Sequence, residues 1–263
     1  MTMISLFTLV ALLTLMIRHS RGTSLDYANL KVARTTSERC AFYSRRLLKS
    51  AKLFGVGGLV LLICSGGLTA FLRFPDTFEP AARWAREQDW IGVVGFGDLP
   101  HLVFPVMVGM SLTALVAVLR PKAKVVTIGD IGAILPRNGR EIGWGALISL
   151  NAGISEELCF RVAVPFSLTM VLGNALFAFV MSTVLFGLLH RYQGIIGIVF
   201  TTLIGGVLAI QYLATGNLLL VMVMHAGFNL MAMVVRPAMI LLFAWVRDRL
   251  RQNKVVIEGG PRI

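Results

Sequence analysis

Apolar residues along this chain gather into long runs separated by polar stretches, with neither strict alternation nor an amphipathic stripe. The runs cover Met3 to Ile17, Leu53 to Leu72, His101 to Leu119, Ile142 to Leu172, Ala175 to His190, Gly194 to Ala214 and Leu218 to about Val246. At 1.5 Å of helix rise per residue, runs of this kind suit a hydrocarbon layer of roughly 30 Å. Hydrocarbon offers no partner to backbone N–H and C=O groups, so the spanning form is helical. The pattern therefore predicts an all-α, polytopic transmembrane helical bundle of seven spans, or eight if the last run divides at Pro237. Gly173 and Asn174 predict a turn that cuts residues 142–190 into two antiparallel helices. Thr215, Gly216 and Asn217 predict another, and Pro165 and Pro237 predict kinks. No solenoid repeat and no low-complexity tract is present.

Composition agrees: 56% of residues are hydrophobic and 14% charged, which exceeds the apolar content a soluble core needs. The net charge of +12 raises nucleic acid as a partner. The basic residues lie between the apolar runs and not on one face interleaved with aromatics, so no nucleic acid is expected and the bilayer is the partner. Arg18 to Lys52 holds nine Lys or Arg against Asp26 and Glu38, and reads as a cytoplasmic loop. Arg73 to Pro100 holds three Arg against five acids and reads as external, while Arg120 to Arg140 is basic again. Seven spans then put the amino terminus outside and the basic tail (Arg247, Arg249, Arg251, Lys254) in the cytoplasm. The expected location is a bacterial inner membrane or a plasma membrane. The first run lacks a preceding positive region and a small-residue cleavage site, so it reads as an uncleaved anchor. Cys40, Cys64 and Cys159 have no CxxC spacing, and no disulfide framework is expected.

The chain divides by character into residues 1–140, an amino-terminal anchor region of about three spans with basic loops, residues 141–246, a core, and residues 247–263, a basic tail. Ionisable side chains enter the spans only from Ile142 onward. Placing such groups in lipid costs at least a few kcal/mol each, so they mark a site facing the bundle interior. In the fourth run, Glu156 and Glu157 project about 100° apart on a helix, and Glu157 shares a face with Arg161 at i, i+4. A buried ion pair fixing helix register explains Glu157 and Arg161, and leaves Glu156 without a reason.

Phe186 and His190 share a face at the end of the fifth run. Taken alone, His190 beside Arg191 reads as an interfacial residue. Counted around the Gly173 turn, however, Glu157 and His190 each lie fifteen residues, about 22 Å, from the same end. The last run carries His225 and Asn229 at i, i+4, about 12 and 18 Å from Asn217. This pair could serve only to join helices by hydrogen bonds. Together, however, the set has the chemistry of amide hydrolysis. A desolvated carboxylate with a histidine activates water, and a second histidine with an amide nitrogen donates to the oxyanion.

The order Glu156, Glu157, three residues, Arg161, then Phe186, three residues, His190, then His225, three residues, Asn229 resembles the CPBP family of intramembrane proteases. That family includes type II CAAX prenyl endopeptidases and bacteriocin-processing and immunity proteins. The resemblance covers about Ile142 to Val235, with no departure at these positions. It implies Glu156 as general base acting on water with His190, His225 with Asn229 as the oxyanion site, and Glu157 with Arg161 in support. The implied partner is a membrane-associated protein or peptide substrate.

The expected mechanism is metal-independent. Zinc stays open as a cofactor, because Glu156, His190 and His225 could form a three-ligand site with a free position, although HExxH is absent. Two other functions remain. One is a scaffold or immunity protein binding a membrane partner through the same cavity without catalysis. The other is a proton-coupled transporter, weakened by the absence of two matching halves.

Overall fold

The computed structural model describes residues 3–88, 92–119 and 129–258. It is 88% helix and contains no strand among the described residues, so the all-α expectation holds. Helix α1 spans Met3–Val32, α2 Thr36–Ser50 and α3 Gly57–Cys64. Next come α4 (Glu79–Arg86), α5 (Leu99–Leu119), α6 (Gly139–Glu157) and α7 (Val164–Leu172). The order ends with α8 (Ala175–Leu189), α9 (Gly194–Thr215), α10 (Leu218–Leu230) and α11 (Arg236–Glu258). Turns of π-helix at Ala51–Val56, Leu158–Ala163 and Met231–Val235 join α2 to α3, α6 to α7 and α10 to α11 without a break.

The sequence signals for helix ends operate as expected. Asn174 and Asn217 cap α8 and α10, their side-chain oxygens accepting from Phe177 N and Leu220 N at 2.9 and 3.0 Å. Gly173 and Gly216 end the preceding helices at φ of 65° and 66°, a left-handed conformation that a side chain resists. Pro165 and Pro237 each follow a π turn within a continuous helix, and neither starts a new element after a break. Proline lacks an N–H and crowds the preceding turn, and a widened turn just upstream is one way to accommodate it. The eight-span alternative, which required a division at Pro237, therefore has no break to support it.

Among the described residues, four helices are long and apolar enough to cross a membrane: Met3–Val32, Thr36–Cys64, Arg191–Thr215 and Leu218–Leu250. Ala175–Leu189 is apolar but shorter. The chain is thus an integral membrane protein, with four spans by that measure against the seven or eight expected. The continuous helix through 139–172 falls short because Glu156, Glu157 and Arg161 lower its hydropathy. Arg18 to Lys52 is also not a loop: α1 continues to Val32, and after a three-residue break α2 begins under a capping box of Thr35 and Glu38. Of the basic segment from Arg120 to Arg140, residues 120–128 lie outside the described residues, as does the chain after 258.

One apolar core is shared by both halves of the chain. Leu12 and Met16 of α1 and Leu61 and Leu62 of α3 pack in the same cluster as Phe160, Val164, Phe186, Leu208 and Val221. Polar ties hold α2 against α6. Arg39 Nε donates to Glu141 Oε2 at 2.9 Å, and the two side chains are each 1% exposed. Arg39 Nη1 and Nη2 also donate to the carbonyls of Ala133 and Leu135, while Glu141 accepts from Arg137 N and Asn138 Nδ2. Farther along, Asn151 Nδ2 donates to Ser50 Oγ at 2.7 Å. Arg39 was read as part of a cytoplasmic loop, and the structure corrects this by burying it in a helix at this joint.

Candidate active site

The carboxylates sit where α6 passes into the π turn Leu158–Ala163 that carries Arg161. Helix geometry turns Glu156 and Glu157 in different directions. Glu157 and Arg161 are wholly buried, and Arg161 Nε donates to Glu157 Oε2 at 2.7 Å. The expected i, i+4 pair therefore exists, but it is only half of what Glu157 does. Its other oxygen, Oε1, lies 2.6 Å from His225 Nδ1. A carboxylate oxygen accepts, so Nδ1 carries the hydrogen and the imidazole is held between α6 and α10. The opposite ring nitrogen, Nε2, then faces Glu156, with 3.9 Å to Oε2.

Close backbone approach makes this contact possible. A Cβ added to Gly153 would lie 2.7 Å from both Ala226 Cβ and the Met222 carbonyl oxygen. Gly153 is one turn before Glu157, and Ala226 is next to His225. The missing side chain is what lets the two helices meet at that depth.

His190 lies just past the last residue of α8, at φ −90° and ψ 17°. Its Nδ1 is 2.8 Å from the Phe186 carbonyl, an acceptor, so Nδ1–H donates and Nε2 is left without a hydrogen-bond partner among the described residues. Phe186 explains the shared face seen in the sequence. Its ring centroid is 4.9 Å from His190 and 5.8 Å from His225, and the Arg161 guanidinium lies 5.3 Å from it. The structure thus brings Arg161, His190 and His225 around one phenyl ring, with Glu157 bonded to Arg161 and His225 and Glu156 facing His225. Glu156 and His190 are not hydrogen-bonded to each other. Asn229 lies one turn beyond His225 on α10, half-buried, and its carboxamide has no hydrogen-bond partner among the described residues.

Among the described residues, no three His, Cys, Asp or Glu side chains stand together as a metal-holding group, which includes Glu156, His190 and His225. His225 also has its Nδ1 engaged by Glu157, so only Nε2 could serve as ligand.

Two residues near the site had no sequence signal. Arg46 Nη2 donates to the Tyr192 hydroxyl at 3.0 Å, and the guanidinium lies over that ring at 4.7 Å. Tyr192 in turn is 6.0 Å from His190 between ring centroids. Arg46 was one of nine basic residues in a stretch read as loop, and nothing local separated it from the rest. No curated protein and no solved structure matches the chain. Residues 138–231, which contain all six site residues drawn from the sequence, match the family model described as type II CAAX prenyl endopeptidase Rce1-like, and they form an Rce1-like domain in this chain.

Proposed function

We propose that this protein is an intramembrane endopeptidase that hydrolyses a peptide bond of a membrane-associated protein or peptide, in the manner of a CAAX protease. At the level of the family, the Rce1-like domain is a protease domain. The observation that carries the reading is the chain Arg161, Glu157, His225, with Glu156 facing the free edge of that imidazole. Glu156 removes a proton from a water molecule that attacks the scissile carbonyl, and His190, through its open Nε2, orients that water or shares the proton. As the carbonyl oxygen gains charge, His225 Nε2–H and the Asn229 amide donate to it. Protonated on both nitrogens, His225 is a cation beside Glu157. Arg161 keeps Glu157 ionised and its oxygens aimed, so the imidazole is oriented before substrate arrives. The proton held by Glu156 then passes to the leaving amine. Each step uses side chains of this chain, and the hydrolysis is written without a metal.

The test uses purified protein in lipid nanodiscs with internally quenched S-farnesylated CAAX peptides. The wild type is expected to cleave them. Glu156→Gln, which keeps shape and removes the base, is expected to slow turnover by roughly a hundredfold to ten-thousandfold. Cleavage by Glu156→Gln at the wild-type rate would sink the reading and return the scaffold alternative. Chelator treatment is expected to leave the rate unchanged, and recovery of a chelator-lost rate by added zinc would overturn the metal-free form.

A further inference from the structure

Several cations of the amino-terminal helices and the core are matched to carboxylates. Arg161 is paired with Glu157, Arg39 with Glu141, Lys49 with Asp26 and Lys31 with Asp130. Arg46 lies among them on α2, half-buried, and among the described residues no carboxylate comes within ion-pair distance of it. Its single hydrogen bond goes to the neutral phenol of Tyr192, which also accepts from Gln193 Nε2 at 3.0 Å. Nε and Nη1 are left as unengaged donors. A guanidinium is a planar fork that matches a carboxylate through two parallel hydrogen bonds, and Tyr192 holds this one by one corner and by its ring face.

The position is as informative as the missing partner. Arg46 reaches the site through Tyr192, which holds it by a hydrogen bond and by its ring face. Tyr192, against which Arg46 rests, is a ring neighbour of His190. The Arg46 charge therefore lies on the α2 side of the site, outside residues 138–231, one ring away from His190.

We propose that Arg46 binds a carboxylate of the substrate beside the scissile bond, either a free chain terminus or an acidic side chain. The inference rests on the protease reading for what the ligand is, and it makes Arg46 a specificity residue supplied by the amino-terminal helices. A strut for Tyr192 would have no need of an open fork.

The test reads binding, so it is separate from turnover. Full-length protein carrying Glu156→Gln is placed in nanodiscs of zwitterionic phospholipid. Affinity is measured by fluorescence anisotropy for three S-farnesylated peptides: one with a free terminal carboxylate, its terminal amide, and that amide with glutamate as the last residue. At least one carboxylate-bearing peptide is expected to bind about tenfold more tightly than the neutral amide, the scale of one charge-assisted hydrogen bond. The tighter of the two names the source of the carboxylate. Adding Arg46→Gln is expected to bring the ratio near one, Arg46→Lys to keep part of it, and Tyr192→Phe to keep most of it. A ratio near one with Arg46 present, equal weakening of all three peptides by Arg46→Gln, or loss of the ratio in Tyr192→Phe would each overturn the proposal. Hydrolysis by the wild type with any of those results would leave the protease reading standing and remove only Arg46's role.

Discussion

Glu157 and Asn229 give opposite expectations at the scale of single residues. Glu157 neutralises a buried guanidinium and accepts from His225, so it serves both the fold and the site. Glu157→Gln leaves Arg161 buried without a counter-charge, and breaking such a pair costs roughly 3–5 kcal/mol. A large fall in the unfolding midpoint in detergent is expected together with a loss of turnover. Asn229 has no partner in the fold among the described residues, so Asn229→Ala should leave the midpoint unchanged. If its amide meets the oxyanion, turnover should nevertheless fall by about a hundredfold to a thousandfold. An Asn229→Ala protein that is both fully active and fully stable would remove this residue from the mechanism.

At the scale of elements, the contact that matters is α6 against α10. Gly153→Ala inserts a methyl 2.7 Å from Ala226 Cβ and from the Met222 carbonyl oxygen, so the helices must separate. Overpacking of this kind costs about 1–3 kcal/mol, and the 2.6 Å contact between Glu157 and His225 should lengthen with it. Turnover measured in nanodiscs is expected to fall much further than the unfolding midpoint. Gly143→Ala on the same helix meets nothing within 4 Å and should change neither quantity. Equal behaviour of the two variants would show that helix separation does not control the site. The helix limits themselves were largely legible. Asn174, Asn217, Gly173 and Gly216 are local signals, because a cap or a left-handed glycine is decided within four residues. The π turns before Pro165 and Pro237 were not legible, since they leave the helix unbroken.

For the whole molecule, the amino-terminal helices are part of the same packed body as the Rce1-like domain. Arg39 and Glu141 join them through a buried pair whose remaining polar atoms are hydrogen-bonded. Arg39→Met should cost roughly 3–5 kcal/mol by stranding the Glu141 charge, read as a lowered unfolding midpoint in detergent. Adding Glu141→Leu should recover much of that loss, because an apolar pair needs no counter-charge. A double variant no better than the single one would mean that the carbonyls of Ala133 and Leu135, and not the ion pair, dominate the joint. The same packing brings α2, and with it Arg46, to the edge of the site.

The sequence by itself determined that the chain is helical and crosses a membrane, where several helices end, and which six polar residues to watch. Those properties follow from hydropathy, from i, i+4 spacing and from caps, all of which act over a few residues. Rise per residue also put Glu157 and His190 at one depth, and in the structure Phe186 lies against both His190 and His225, the partner of Glu157. Only the tertiary structure decided that His225 engages Glu157 through Nδ1 and faces Glu156 through Nε2. Counting residues measures position along a helix axis and says nothing of how neighbouring helices are rotated about theirs. The same reason hid Arg39 and Arg46, whose partners lie about a hundred residues or more away in sequence. Which basic residue in a helix turns inward is decided by the helix it packs against.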